Sequence, residues 1–89
     1  MIERELLISN RLGLHARATA KLVQVLSGYR CNATLTAKGR EVNAKSIMGV
    51  MLLAAGQGTP VVLRVDGDDE EQAAAAVSDL FERLFDEGG

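Results

Sequence analysis

The chain has 89 residues, 47% of them hydrophobic and 25% charged, with a net charge of -2 at neutral pH. This is the composition of one small globular domain, residues 1–89, and it excludes disorder as the default state. The slightly acidic balance argues against a nucleic-acid partner held on a general basic surface, and no apolar run approaches the ~20 residues that span a bilayer.

No secretory signal opens the sequence, and the single Cys31 cannot form an internal disulfide. A reduced, semi-buried thiol and a cytoplasmic location are expected. With no Trp, one Tyr and two Phe, the core has to be aliphatic.

In chain order, Ile2 to Ser9 reads as a first strand, with Ile2, Leu6 and Ile8 on one face and Leu7 breaking the alternation. Asn10 to Gly13 has no period and carries turn residues. From Ala16 the sequence becomes helical: Ala18, Leu22, Val25 and Leu26 form an apolar stripe, widened by Ala20 and Val23, while Arg17, Lys21 and Gln24 share the other face. Gly28 supplies a left-handed stop. Cys31, Ala33, Leu35 and Ala37 then alternate with polar residues as a half-buried strand, Lys38-Gly39 turns the chain, and Arg40 to Asn43 returns as a third strand. Ser46 is an N-cap for a helix carrying Ile47, Met48, Met51 and Leu52 as far as Ala54-Ala55-Gly56. Gly49 weakens that helix by roughly 1 kcal/mol relative to Ala, so it needs tertiary support or serves close packing. After a loop ending at Pro60, Val61, Leu63 and Val65 define a fourth strand. Asp68 with Glu71 forms a capping-box pattern for a last helix whose stripe runs from Ala73 and Ala74 through Val77, Leu80 and Phe81 to Leu84 and Phe85. Glu70, Glu71, Asp79, Glu82, Asp86 and Glu87 are read as its solvated face and ends. The order βαββαβα implies an α+β fold, one antiparallel sheet with helices over its apolar face, and pattern alone permits a ferredoxin-like strand order with an added helix.

His15 is the only histidine, and it falls at or beside the N-cap of the first helix. There, backbone N–H groups lack helical acceptors and the dipole is positive, a ready anion site. A neutral imidazole can act as a nucleophile, and a phosphoryl group on one ring nitrogen would meet the backbone N–H groups of Ala16 and Arg17 and the guanidinium fork of Arg17. Local spacing alone leaves this open against a His15 that only caps the helix and an Arg17 that is a solvated charge.

Gly13-Leu14-His15-Ala16-Arg17, together with Lys45-Ser46-Ile47-Met48-Gly49-Val50-Met51, closely resembles the histidine-containing phosphocarrier (HPr) family of the bacterial phosphoenolpyruvate-dependent phosphotransferase system. The resemblance covers nearly the whole chain. It implies an open-faced β-sandwich with strand order 1-4-2-3, covered by three helices. It also implies a stoichiometric carrier rather than an enzyme, working as a monomer without cofactor or metal. Phospho-enzyme I would phosphorylate His15 on Nδ1, Arg17 would steady the phosphoryl group, and an enzyme IIA domain would receive it. Ser46 gains a second role beside capping, since the matching serine is phosphorylated in many bacteria by HPr kinase/phosphorylase. A phosphate there would add about -1.5 to -2 charge to a docking surface.

Ile47, Met48 and Met51 are either core or part of an apolar partner surface, with Ala20, Arg17 and Lys21 at its rim. Ala18 stands where many family members have proline, which removes no chemical group but leaves open the choice between a sugar-uptake and a nitrogen-related regulatory branch. One His and one Cys exclude a typical metal site or catalytic triad, and the absence of strand aromatics argues against an RNA-binding sheet. An interaction domain of the same fold that does not need His15 is the remaining alternative.

Overall fold

Period-two alternation of apolar and polar side chains builds the sheet, and period 3.6 builds the layer above it. The computed structural model describes residues 1–87 in the order β1 (Ile2–Leu7), α1 (Ala16–Ser27), β2 (Asn32–Ala37), β3 (Arg40–Asn43), α2 (Ile47–Met51), β4 (Pro60–Asp66) and α3 (Glu70–Glu82), followed by a 3-10 turn at Leu84–Asp86. The sheet is antiparallel throughout with order β1-β4-β2-β3, as the family resemblance implied and not the ferredoxin-like order. In register, Leu6 faces Val61, and Leu63 of β4 faces Leu35 of β2, which in turn faces Val42 of β3. These apolar pairs share one side, where Leu35, Val61, Leu63 and Val65 are completely buried against Leu22, Leu26, Val77 and Leu80 of the helices. On the other side lie Glu3, Arg64 and Glu41, with Arg64 Nε bonded to Glu3 at 2.7 Å. Lys38 and Gly39 both take positive φ, 53° and 78°, the backbone that a two-residue hairpin turn requires.

Several details depart from the sequence expectations. Gly28 ends α1 with φ -78°, so the stop is right-handed, tightened by bonds from Gly28 N–H to Val25 O and from Tyr29 N–H to Leu26 O. Ala20 is exposed, and Thr19 takes the buried place beside Ala18 because its hydroxyl donates to Leu14 O at 3.1 Å. The second helix stops at Met51, with Ala54 adopting φ 48° where Gly56 was expected to end it, and its buried residue is Val50. Cys31 is fully buried, not half-buried, and burial together with the Asp69 carboxylate pushes its thiol up.

The last correction concerns α3. Its N-cap is Asp69, not Asp68, and no capping-box bond forms with Glu71. The Asp69 carboxylate instead accepts the backbone N–H groups of Arg30 and Cys31, at 2.8 and 3.0 Å, pinning the start of β2. At its other end the helix stops at Glu82, although the apolar stripe continues to Phe85, because Leu84, Phe85 and Asp86 all have positive φ, 56°, 54° and 61°. Three left-handed residues with side chains cost about 3 to 6 kcal/mol together. Phe85 offsets much of this by complete burial against Phe81, ring centroids 4.8 Å apart, with about 1.5 to 3 kcal/mol from burial and about 0.5 to 1.5 from the aromatic pair. The result is a short strap that folds back across the start of α1.

Candidate functional site

The loop between β1 and α1 is held from behind by the segment after α2. Leu14 N–H donates to Ala55 O at 2.9 Å, and Ile8 exchanges backbone bonds with Gly58 and Thr59. Gly13 sits against this segment with φ 67°, and a Cβ there would lie 2.5 Å from Ala55 O and 2.6 Å from Gly56 Cα. Only glycine fits. Asn10, completely buried, ties the loop to itself by donating from Nδ2 to Gly13 O at 2.8 Å.

This frame delivers His15 to the N-cap of α1 in extended backbone, with its carbonyl accepting from Thr19 N–H. Its Nδ1 accepts the backbone N–H of Arg17 at a long 3.3 Å, and its Nε2 contacts Glu87 Oε2. A neutral imidazole whose Nδ1 accepts an amide N–H and whose Nε2 faces a carboxylate carries its proton on Nε2. The Nδ1 lone pair therefore points to the open amides of the first helical turn. The ring is 29% exposed and Glu87 only 13%, so the imidazole is open to solvent while its carboxylate partner is sheltered.

Glu87 is fixed in turn by Asn10, whose Nδ2 donates to Oε1 at 3.0 Å. Burial alone would push the Glu87 carboxyl up, but the hydrogen bonds from Asn10 and His15 and the nearby charges of His15 and Lys21 outweigh it and hold the group below the ordinary carboxylate range. Lys21 anchors the strap, donating from Nζ to Phe85 O at 2.7 Å and facing Asp86 at 3.8 Å. Arg17 is exposed on the same face of α1 as Lys21, and no ion pair engages it among the described residues. Arg11, Leu12, Ala16 and these side chains line an open concavity around the His15 ring.

Of the residues picked out from the sequence, His15, Ala16, Arg17 and Lys21 come together here. Ser46 caps α2 as expected, its Oγ accepting Gly49 N–H at 3.0 Å. Of the two places left open for them, Ile47, Met48 and Met51 take the surface, exposed by 45%, 80% and 44%. With α2 packed on α1, they continue the exposed face past Ala20. Leu52, which shared their helical spacing, is 63% exposed and belongs to that apolar patch. Sequence reasoning missed Glu87 and Asn10. The helical stripe through Phe85 placed Glu87 on a solvated helix end, and nothing local announces the left-handed turn that brings it back.

A family model described as "PTS HPr component phosphorylation site" matches residues 2–83. The chain belongs to the HPr family. Phosphocarrier protein HPr of Xylella fastidiosa strain 9a5c is 64% identical over 87 residues, 98% of each chain. The crystal structure of HPr-C-His from Thermoanaerobacter tengcongensis superposes with a TM-score of 0.94 at 45% identity, again over 98% of each chain. An HPr dimer from the same organism matches with a TM-score of 0.77 over 96% of this chain and 98% of that one. Membership makes this chain a phosphocarrier by family, and the two quoted family motifs fall on the two helix starts just described. No helix among the described residues is long and apolar enough to cross a membrane.

Proposed function

We propose that this protein is a cytoplasmic carrier of the phosphotransferase system that accepts a phosphoryl group from phospho-enzyme I on His15 Nδ1 and hands it to an enzyme IIA domain. The observation that carries the reading is the orientation of His15: the nitrogen whose lone pair is available is the one facing the helix N-terminus, beside Arg17, which no ion pair engages among the described residues. As the Nδ1–P bond forms, the bond between phosphorus and the donor breaks and its electron pair leaves with the donor. Nδ1 releases the Arg17 N–H, which together with that of Ala16 becomes available to a phosphoryl oxygen, and the Arg17 guanidinium pairs with the others. The bond given up is long and weak, so little is lost in releasing it.

The macrodipole contributes only about 0.3 to 1 kcal/mol at an exposed site, and up to about 2 when partly buried. This suits a carrier that must release what it binds. We read the carrier as a monomer that works without metal or cofactor. Ile47, Met48, Met51 and Leu52 form the apolar docking patch, and Ala20, Arg17 and Lys21 its small and basic rim, suited to acidic partner surfaces. Ser46 lies at the start of the helix that bears the patch, so a phosphate placed there by an HPr kinase/phosphorylase would change the docking charge without touching His15. The assignment to sugar uptake or to a nitrogen-related branch rests with the partners.

Intact-protein mass spectrometry at alkaline pH, after incubation with phosphoenolpyruvate, Mg²⁺ and catalytic enzyme I, tests this. One acid-labile phosphoryl group on the wild type and none on His15→Ala is the expected result. No gain with enzyme I from either branch, on folded protein, would leave an interaction domain in its place.

A further inference from the structure

The C-terminal strap is expensive in backbone conformation, and what it achieves is the placement of one carboxylate. Leu84, Phe85 and Asp86 turn the chain through three consecutive left-handed residues. Phe85 is locked into the core, and Lys21 holds its carbonyl. The next side chain, Glu87, then meets Nε2 of His15, while buried Asn10 takes its other oxygen. A solvated helix end needs none of this apparatus. From this geometry we infer that Glu87 is a positioning residue for the phosphoryl transfer, holding the proton on Nε2 so that Nδ1 is the nucleophile, and balancing the positive charge the ring acquires once Nδ1 bonds phosphorus.

The placement suits that task. Nδ1 and Nε2 lie on different sides of the imidazole, so the carboxylate can pair with the ring without standing between Nδ1 and an incoming phosphoryl group. Nε2 keeps its proton throughout, so the transfer needs no separate proton acceptor. The ring with phosphorus on Nδ1 and hydrogen on Nε2 is positive, and that form is also the better leaving group for the onward step. Glu87 would therefore keep the carried group ready for transfer up to a higher pH than an unpaired ring would. The charged groups facing the ring are Arg11 of the loop, Arg17 and Lys21 of α1, and Asp86 and Glu87 of the strap. Among the described residues only Glu87 reaches Nε2 directly, and Lys21 is occupied by the strap's own carbonyl and Asp86.

The inference rests on the phosphocarrier reading for its kinetic part and stands apart from it in its structural part. In the unphosphorylated full-length protein, proton NMR with ¹⁵N correlation should show the single imidazole Nε2–H downfield of the amide region and protected from exchange. Glu87→Gln should lose that signature while melting at the wild-type temperature. Charging of Glu87→Gln from phosphoenolpyruvate and enzyme I should fall by about 10- to 100-fold, the usual cost of removing a carboxylate that orients a functional histidine. Glu87→Asp, which keeps the charge, should recover part of the rate. The pH at which phosphohistidine hydrolysis accelerates should move to lower pH in Glu87→Gln and back in Glu87→Asp. An unchanged Nε2–H resonance, or wild-type charging and hydrolysis profiles in Glu87→Gln, would overturn the assignment. Failure of the wild type to charge at all would instead refute the phosphocarrier reading, and the NMR comparison would still decide whether Glu87 fixes the ring.

Discussion

The helices α1 and α2 both begin on a residue whose side chain accepts a backbone N–H, and the two caps differ in what else holds the capping group. At Ser46 the hydroxyl meets Gly49 N–H at 3.0 Å and the helix it starts is only five residues long. At His15 the ring nitrogen meets Arg17 N–H at 3.3 Å, and the ring is fixed mainly from its far side, by Glu87. One cap spends its lone pair on the fold, whereas the other keeps its lone pair nearly free by anchoring the ring elsewhere. The difference teaches how the same local motif yields a structural cap in one place and an available lone pair in another. The third helix start carries the contrast further: Asp69 makes no side-chain bond to its own helix and serves the Arg30 and Cys31 amides instead.

The sharpest way to break this comparison is His15→Ala. All phosphoryl acceptance should vanish, while the midpoint of thermal unfolding stays close to wild type, because a long cap bond sits at the weak end of the about 0.5 to 2 kcal/mol range for N-caps. A large drop in melting temperature would mean that His15 is a structural cap after all. Next in size, Gly13→Ala should destabilise the protein by about 2 to 4 kcal/mol, through steric overlap with Ala55 and Gly56 as well as left-handed strain. Chemical denaturation would read this, and a near-neutral result would show that the loop can shift without loss.

Ser46→Ala should cost about 1 kcal/mol by the same denaturation assay and leave His15 charging intact once the protein is folded. Charging that fell in proportion to His15→Ala would erase the distinction between the two caps.

The smallest effect is expected at Asp69, whose ionised carboxylate contributes a little stability at neutral pH that is lost only in acid. The backbone N–H groups of Arg30 and Cys31 hold its carboxyl below the ordinary value, which means that between the two values the unfolded chain binds more protons than the folded one. Stability from this group is complete above the unfolded value of about 3.9 and is lost as pH falls through the lower folded value. Asp69→Asn should therefore flatten the acid limb of a stability-versus-pH curve below about pH 4 and leave its neutral region with the same slope. An unaltered acid limb would show that Asp69 is not the group responsible.

Much of this was legible in the sequence where one local rule governed a residue. Alternation in Cys31 to Ala37 and in Val61 to Val65 marked strands buried on one face, and Ser46 and His15 stood where caps belong. Errors arose where a distant partner decided the outcome. Asp68 and Glu71 satisfied a capping pattern, yet Asp69 lay within reach of the amides that open β2, and the helix start moved by one residue. Leu84 and Phe85 continued the α3 stripe faithfully, but burying Phe85 on Phe81 was achieved by leaving the helix rather than extending it. Half of the site, His15 with Ala16 and Arg17, is contiguous in sequence. Asn10 and Glu87 are joined only by the fold.

The bond from Leu14 to Ala55 and the close approach of Gly13 to Gly56 bear on when the site exists at all. They connect the residues before His15 to a segment that is synthesised well after it, and Glu87 arrives later still. A growing chain that has released its first helix from the ribosome still lacks the frame that sets the imidazole, and local helix formation cannot replace it. On the proposed function, competence for transfer thus depends on the folded frame and not on the first helix alone.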